Sequence, residues 1–222
     1  MEEKQTSFQK LMGIINKIGY AIMLNLLFLV SCVPVITIGP ACSGLYSAVR
    51  YSIKGESAFQ GFREGFKTRF LRNMLGGSFC LLIGFYALDN VVVFVKGILA
   101  DPSLLSAGVI IPTFFHLVFF LAAMLVGTAM IPVNLYFEND VNGWLLDTWK
   151  LIGYAPLQVL ASAAIMWLPV VVMIWFPMYG FLALLVFIAV YFAVMGVVVT
   201  ALLKNPLIRI LQQKRQEEGS NE

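Results

Sequence analysis

Residues 18–49 read IGYAIMLNLLFLVSCVPVITIGPACSGLYSAV, with no formal charge between Lys17 and Arg50. A helix needs about 20 apolar residues to cross a bilayer, at about 1.5 Å per residue. This stretch is too long for one crossing and carries its own punctuation in Pro34, Gly39 and Pro40. Two arrangements fit it. One is a span near 18–37 followed by a short interfacial helix. The other is a tight hairpin whose shorter second leg, a sixth transmembrane segment, covers 40–53.

The rest of the chain is organised by similar gaps between charges. Residues 73–95 hold one charge, Asp89, and residues 102–137 hold only His116. Residues 151–203 hold none, enough for two crossings, with a break at Pro177-Met178-Tyr179-Gly180. Five transmembrane helices follow, near 18–37, 73–95, 109–131, 155–175 and 181–203. The whole chain of 222 residues is 60% hydrophobic and 12% charged, and its mean hydropathy is +0.87. A soluble domain is about 25% charged, so the composition excludes an ordinary soluble globule. Barrel strands would alternate apolar and polar positions, whereas these segments are apolar on every face. The expected fold is an all-α polytopic helical bundle in a single membrane domain, 1–222. No small-x-small cleavage site ends a short apolar run, so the first segment reads as a retained helix.

Positive charge orients the bundle, because Lys and Arg collect on the cytoplasmic side. They occur as Lys4, Lys10 and Lys17, six times within 50–72, at Lys96 and Lys150, and four times in the C-tail 204–222. The hairpin puts every one of them except Lys96 on one side. The single-span arrangement moves the three N-terminal lysines across to join Lys96. Both arrangements place 50–72, 138–150 and the C-terminus in the cytoplasm, and the charge balance favours the hairpin.

The soluble pieces are too short to bury a core of their own. The most informative is 56–72, where Phe59, Phe62, Phe66 and Phe70 share an arc of about 80° at helical spacing. Arg63, Lys67 and Arg69 lie around them. This is an amphipathic cytoplasmic helix that suits the inner-leaflet interface, where anionic lipid attracts cations, and it also suits a docking partner. An internal echo links Glu64-Gly65-Phe66-Lys67, before span 73–95, to Asp147-Thr148-Trp149-Lys150, before span 155–175.

Ionisable groups within spans are functional candidates because they are costly there. Asp89 and His116 lie at similar depth on successive antiparallel spans and form a candidate polar pair. The bland alternative is a clasp between two helices. No catalytic, cofactor or metal set emerges. The single His and Cys32, Cys42 and Cys80 lack metal-ligand spacing, and the cysteines read as packing residues. No phosphate loop, nucleophile elbow or dinucleotide fingerprint occurs, so no enzyme is expected. A net charge of +3 spread over membrane flanks gives nucleic-acid binding no basis. Prolines recur within spans, as broken helices do in transporters. Asn25 and Asn134 are suited to hydrogen bonds between helices.

Leu24-Asn25-Leu26-Leu27, Ile38-Gly39-Pro40-Ala41, Leu45-Tyr46 with Arg50, Gly55-Glu56 and the Phe59 to Phe70 series together resemble the YesL-like family, the domain-of-unknown-function 624 family. The resemblance covers about residues 10–80, with the Lys204-Asn205-Pro206 exit agreeing further on. It implies a multi-pass protein of the bacterial cytoplasmic membrane. Genes of the family tend to sit beside carbohydrate ABC importers, glycoside hydrolases and two-component regulators. It assigns no activity and no functional residues. The expectation is therefore an accessory or regulatory membrane protein linked to carbohydrate uptake through contacts with importer components or other membrane proteins. The alternative is a small secondary transporter with its polar site at Asp89 and His116.

Overall fold

The computed structural model describes residues 7–137, 140–175 and 191–219, and among these the chain is helical with no strand. The helices are α1 (Ser7–Cys32), α2 (Ile38–Ile53), α3 (Ala58–Lys67), α4 (Phe70–Ala100), α5 (Ala107–Tyr136), α6 (Val141–Tyr154), α7 (Pro156–Trp175) and α8 (Phe192–Gly219).

The opening stretch is a helix, a break and a second helix. α1 stops at Cys32 because Pro34 lacks an N–H and pushes the residue before it out of helical geometry. Val35–Thr37 form one 3₁₀ turn. The Thr37 hydroxyl closes it, lying 2.6 Å from the carbonyl oxygens of both Ser31 and Pro34. α2 starts at Ile38, so Pro40 falls in its first turn, where a missing N–H costs nothing. The first crossing expected at 18–37 is not reached as one helix, because the helix ends at Cys32 although the apolar run continues. The second leg expected at 40–53 is present as α2.

α2 occupies the middle of the molecule, with every residue from Gly39 to Val49 buried. It is packed by α1, α3, α4, α5 and α8. Its small residues allow this, because Gly, Ala and Ser let helix backbones approach closely. A Cβ on Gly39 would lie 2.0 Å from the Asn73 carbonyl oxygen, so glycine is required there. On the neighbouring face a Cβ on Gly65 of α3 would lie 2.4 Å from the Ser47 Cβ. Leu45, Val133, Val159, Leu203 and Leu207 fill the core around α2. A second apolar cluster joins α4, α5 and α7 through Leu88, Phe120 and Trp167.

Among the described residues three helices are long and apolar enough to cross a membrane: Phe70–Ala100, Ala107–Tyr136 and Phe192–Gln216. The pair Val141–Tyr154 and Pro156–Pro169, which bends by 102° at Ala155, has the length and apolarity of a fourth crossing if it counts as one broken span. Among the described residues there are thus three to four candidate crossings where five were expected. The expected span 155–175 is present as a helix but belongs to this bent pair, and residues 181–190 of the last span lie outside the described residues. Phe114, Phe115 and Phe119 on α5 are more than half exposed and form part of the apolar outer surface.

The expected amphipathic helix 56–72 is broken in two. α3 ends at Lys67, Thr68 and Arg69 leave the helix, and Phe70 opens α4. The next six residues, Asn73–Ser78, form a π-helical segment. Both echo segments lie on a short helix that precedes a long apolar one, α3 before α4 and α6 before α7. Their bends are built differently: Arg69 is left-handed at φ 48, whereas Ala155 has φ −137.

Candidate functional site

The polar and charged side chains converge at one end of the bundle, around the C-terminus of α5. The last carbonyls of a helix have no partner within it and form the negative end of its dipole. Arg69 meets them directly. Its Nη1 donates to the carbonyl oxygen of Asn134 at 2.8 Å and also to that of Phe137. Arg50 lies over the Tyr136 ring at 4.7 Å, and Lys214 over the Phe137 ring at 5.9 Å. Three cations from three different segments thus surround one helix end. Arg72 adds a fourth nearby, 5.6 Å above Trp144, whose indole N–H donates to the Met130 carbonyl at 3.3 Å.

Beneath the cations runs a buried amide relay. Asn134 Nδ2 donates to Asn73 Oδ1 at 2.6 Å, and Asn73 Nδ2 donates to the Thr68 carbonyl at 2.9 Å. A separate link lies beside it: the Ser78 hydroxyl accepts from Gly39 N–H at 3.0 Å and donates to the Ile36 carbonyl at 2.7 Å. The α3–α4 break, the 3₁₀ turn before α2 and the end of α5 are therefore tied together by side chains that are almost fully buried. Burying such groups is tolerable only when they are hydrogen-bonded. Asp147, also buried, pairs with Lys214 at 3.7 Å and fastens α8 to α6.

α3 rests against α2 beside this end. Ser57 caps it by accepting from Gln60 N–H, and Ser43 Oγ donates to the Gly65 carbonyl at 2.9 Å. Glu64 accepts from the Tyr51 hydroxyl and, at 3.1 Å, from the Gln60 amide. The Tyr51 hydroxyl bond, followed by the Gln60 bond, holds the Glu64 carboxyl below its ordinary value. Asp101, in the turn after α4, is likewise held low by the Ser103 hydroxyl and N–H.

The residues singled out in the sequence separate into groups. Phe62 is buried, Phe66 and Phe70 are half-buried, and only Phe59, Arg63 and Lys67 remain exposed. The rings still form a ladder across the break, 6.2 Å from Phe62 to Phe66 and 5.5 Å from Phe66 to Phe70. Arg69 has left this row for the end of α5. Of the proposed helix-break residues, Pro34 lies in the break between α1 and α2, whereas Gly39 and Pro40 lie in the first turn of α2.

The candidate polar pair Asp89 and His116 is not joined by a direct ion pair; among the described residues the ion pair observed is Asp147–Lys214. The His116 ring lies 6.0 Å from both Tyr86 and Phe94, and its Nδ1 donates to the Pro112 carbonyl at 2.7 Å. Asp89 is exposed on α4. No group of three metal-ligating side chains occurs among the described residues, and Cys32, Cys42 and Cys80 are free thiols.

Sequence reasoning missed the cation ring. Its signal was present in Asn134-Leu135-Tyr136-Phe137, a polar and aromatic exit from an apolar run that an Arg-rich segment must pack against. Asn134 is read correctly as an inter-helix bonding residue.

The long apolar helices, the bent pair and the cation-ringed end define a polytopic helical membrane protein. Residues 21–91 match the family described as Protein of unknown function, DUF624, the family named by the sequence resemblance. No curated protein and no solved structure matches the chain.

Proposed function

We propose that this is a non-enzymatic accessory protein of the bacterial cytoplasmic membrane that acts through contacts with components of carbohydrate uptake. The observation that supports it is the outward row of α3. Phe59 is 53% exposed and stands with Arg63 and Lys67 along a shallow groove shared with Leu27 and Ser31 of α1. An exposed aromatic flanked by cations on a rigidly backed helix suits both a protein partner and an anionic lipid surface. The carbohydrate link comes from the gene neighbourhood typical of the YesL-like family. The alternative is a small secondary transporter with its polar site at Asp89 and His116, which are not joined by an ion pair.

The test is photo-crosslinking in native membranes with a crosslinkable residue at Phe59 and a control at Phe114 on the outer surface of α5. A subunit of a sugar importer captured from position 59 only, and lost when Arg63 and Lys67 are replaced by Ala, supports the reading. Capture of lipid alone from both positions overturns it.

A further inference from the structure

We propose that the bundle takes the acyl chain of a membrane lipid into a cavity between α1, α2, α4, α7 and α8. The space measures about 450 Å³, within the size range of small-molecule pockets. Its deep wall is made by Phe28, Cys42, Trp167 and Met195, each less than one-tenth exposed. Its rim holds Val35, Leu82 and Phe85, exposed by 52%, 47% and 51%. Those rim residues belong to the same apolar outer surface as Phe79 and Tyr86 of α4, which are 62% and 65% exposed. The cavity is thus continuous with the surface that meets lipid.

The chemistry of the lining selects the occupant. Among the described residues Ser78 supplies its only hydroxyl, and that hydroxyl already donates to the Ile36 carbonyl and accepts from Gly39 N–H. Water requires two to four polar partners to be held in a cavity, and this lining does not offer them. A polar solute would likewise find nothing to orient it, whereas specific small-molecule sites place a few convergent polar groups. A hydrocarbon chain needs neither. Met166 and Met195 give the wall an adaptable surface suited to a flexible chain. The lipid headgroup would stay outside the rim.

The test uses full-length protein in phosphatidylcholine vesicles containing a trace of phosphatidylcholine with a diazirine at the end of one acyl chain. After irradiation, adducts are mapped by mass spectrometry. The expected result is labelling of Trp167 and Met195, which are shielded from the outer surface, together with Phe114, which is 61% exposed. Met195→Trp narrows the cavity and should lower Trp167 labelling at least fivefold with Phe114 unchanged. Labelling of Phe114 without Trp167 or Met195 in the wild-type protein overturns the proposal and shows the space closed or filled by protein. Undiminished Trp167 labelling in a folded Met195→Trp variant overturns it as well. If that variant does not fold, the wild-type map alone decides.

Discussion

Arg69 combines an unfavourable backbone with a favourable side chain. A non-glycine residue at φ 48 costs about 1–3 kcal/mol. The two bonds from its guanidinium to the end of α5 offset that, because leaving buried carbonyls unpaired costs about 1–3 kcal/mol each. Arg69→Gly relieves the backbone and removes the guanidinium, so it separates the two effects. A lower melting temperature in detergent, by the equivalent of about 1–2 kcal/mol, is the expected outcome. An unchanged or raised temperature would show that the guanidinium contributes little. Gly39→Ala is expected to be more severe, since its Cβ has nowhere to go, while Gly153→Ala, with open space around it, should melt like the wild type. At this scale the sequence was partly legible. A lone amide inside an apolar run must find a partner, which is why Asn25 and Asn134 could be singled out. Nothing local reveals that Arg69 turns left-handed, because that conformation is set by an acceptor 65 residues away.

Among the elements, α3 shows what helical periodicity can and cannot say. The phenylalanine arc over 56–72 is real, and its rings remain in contact, yet the backbone breaks at Thr68–Arg69. A 3.6-residue repeat tracks which side chains share a side; it is blind to a break that keeps them on that side. Burial of Phe62 then follows from the glycine-lined contact with α2, so the aromatic face points largely inward. The same contact makes α3 sensitive to acid. The folded value of Glu64 lies below its unfolded one, so its stabilisation is full above the ordinary carboxylate pKa and is lost as pH falls through the folded value. Hydrogen-exchange protection over residues 58–67, corrected for the intrinsic rate, should therefore hold from neutral pH down to about pH 4, near the ordinary glutamate value, and fall below it. Tyr51→Phe removes the largest cause of the shift and should flatten that response. If the variant keeps the wild-type pH response, the Tyr51–Glu64 contact is not its source.

For the whole molecule, membrane residence and helical class were readable from composition alone, and the α1–α2 break from Pro34 with its neighbours. The number of crossings was not. Gaps between charges measure how far an apolar run extends, but α1 ends early at a proline, and α7 is joined to α6 through a 102° bend. Charge asymmetry still gives a topological expectation. Reporters fused to either terminus should both read out in the cytoplasm. A periplasmic N-terminal reporter would instead favour a single first crossing. The Asp147–Lys214 pair links the tail of α8 to α6, and Lys214→Met leaves a buried carboxylate without its cation. Protease cleavage of the tail after about residue 204 should then accelerate several-fold in vesicles, and unchanged cleavage would show the pair to be incidental.

One contact spans nearly the full length of the chain. The buried Asn25 side chain accepts the N–H of Ala193, 168 residues later. At a synthesis rate of roughly 5–20 residues per second, that donor emerges about 10–30 s after the asparagine. Until then the Asn25 side chain in the first helix cannot form this native bond. Folding of this bundle thus has a built-in waiting period, during which the hairpin of α1 and α2 lacks this tie to α8, with the insertion machinery as its expected temporary partner. A ribosome stalled before Ala193 should leave that hairpin in contact with the machinery, and release should coincide with insertion of α8.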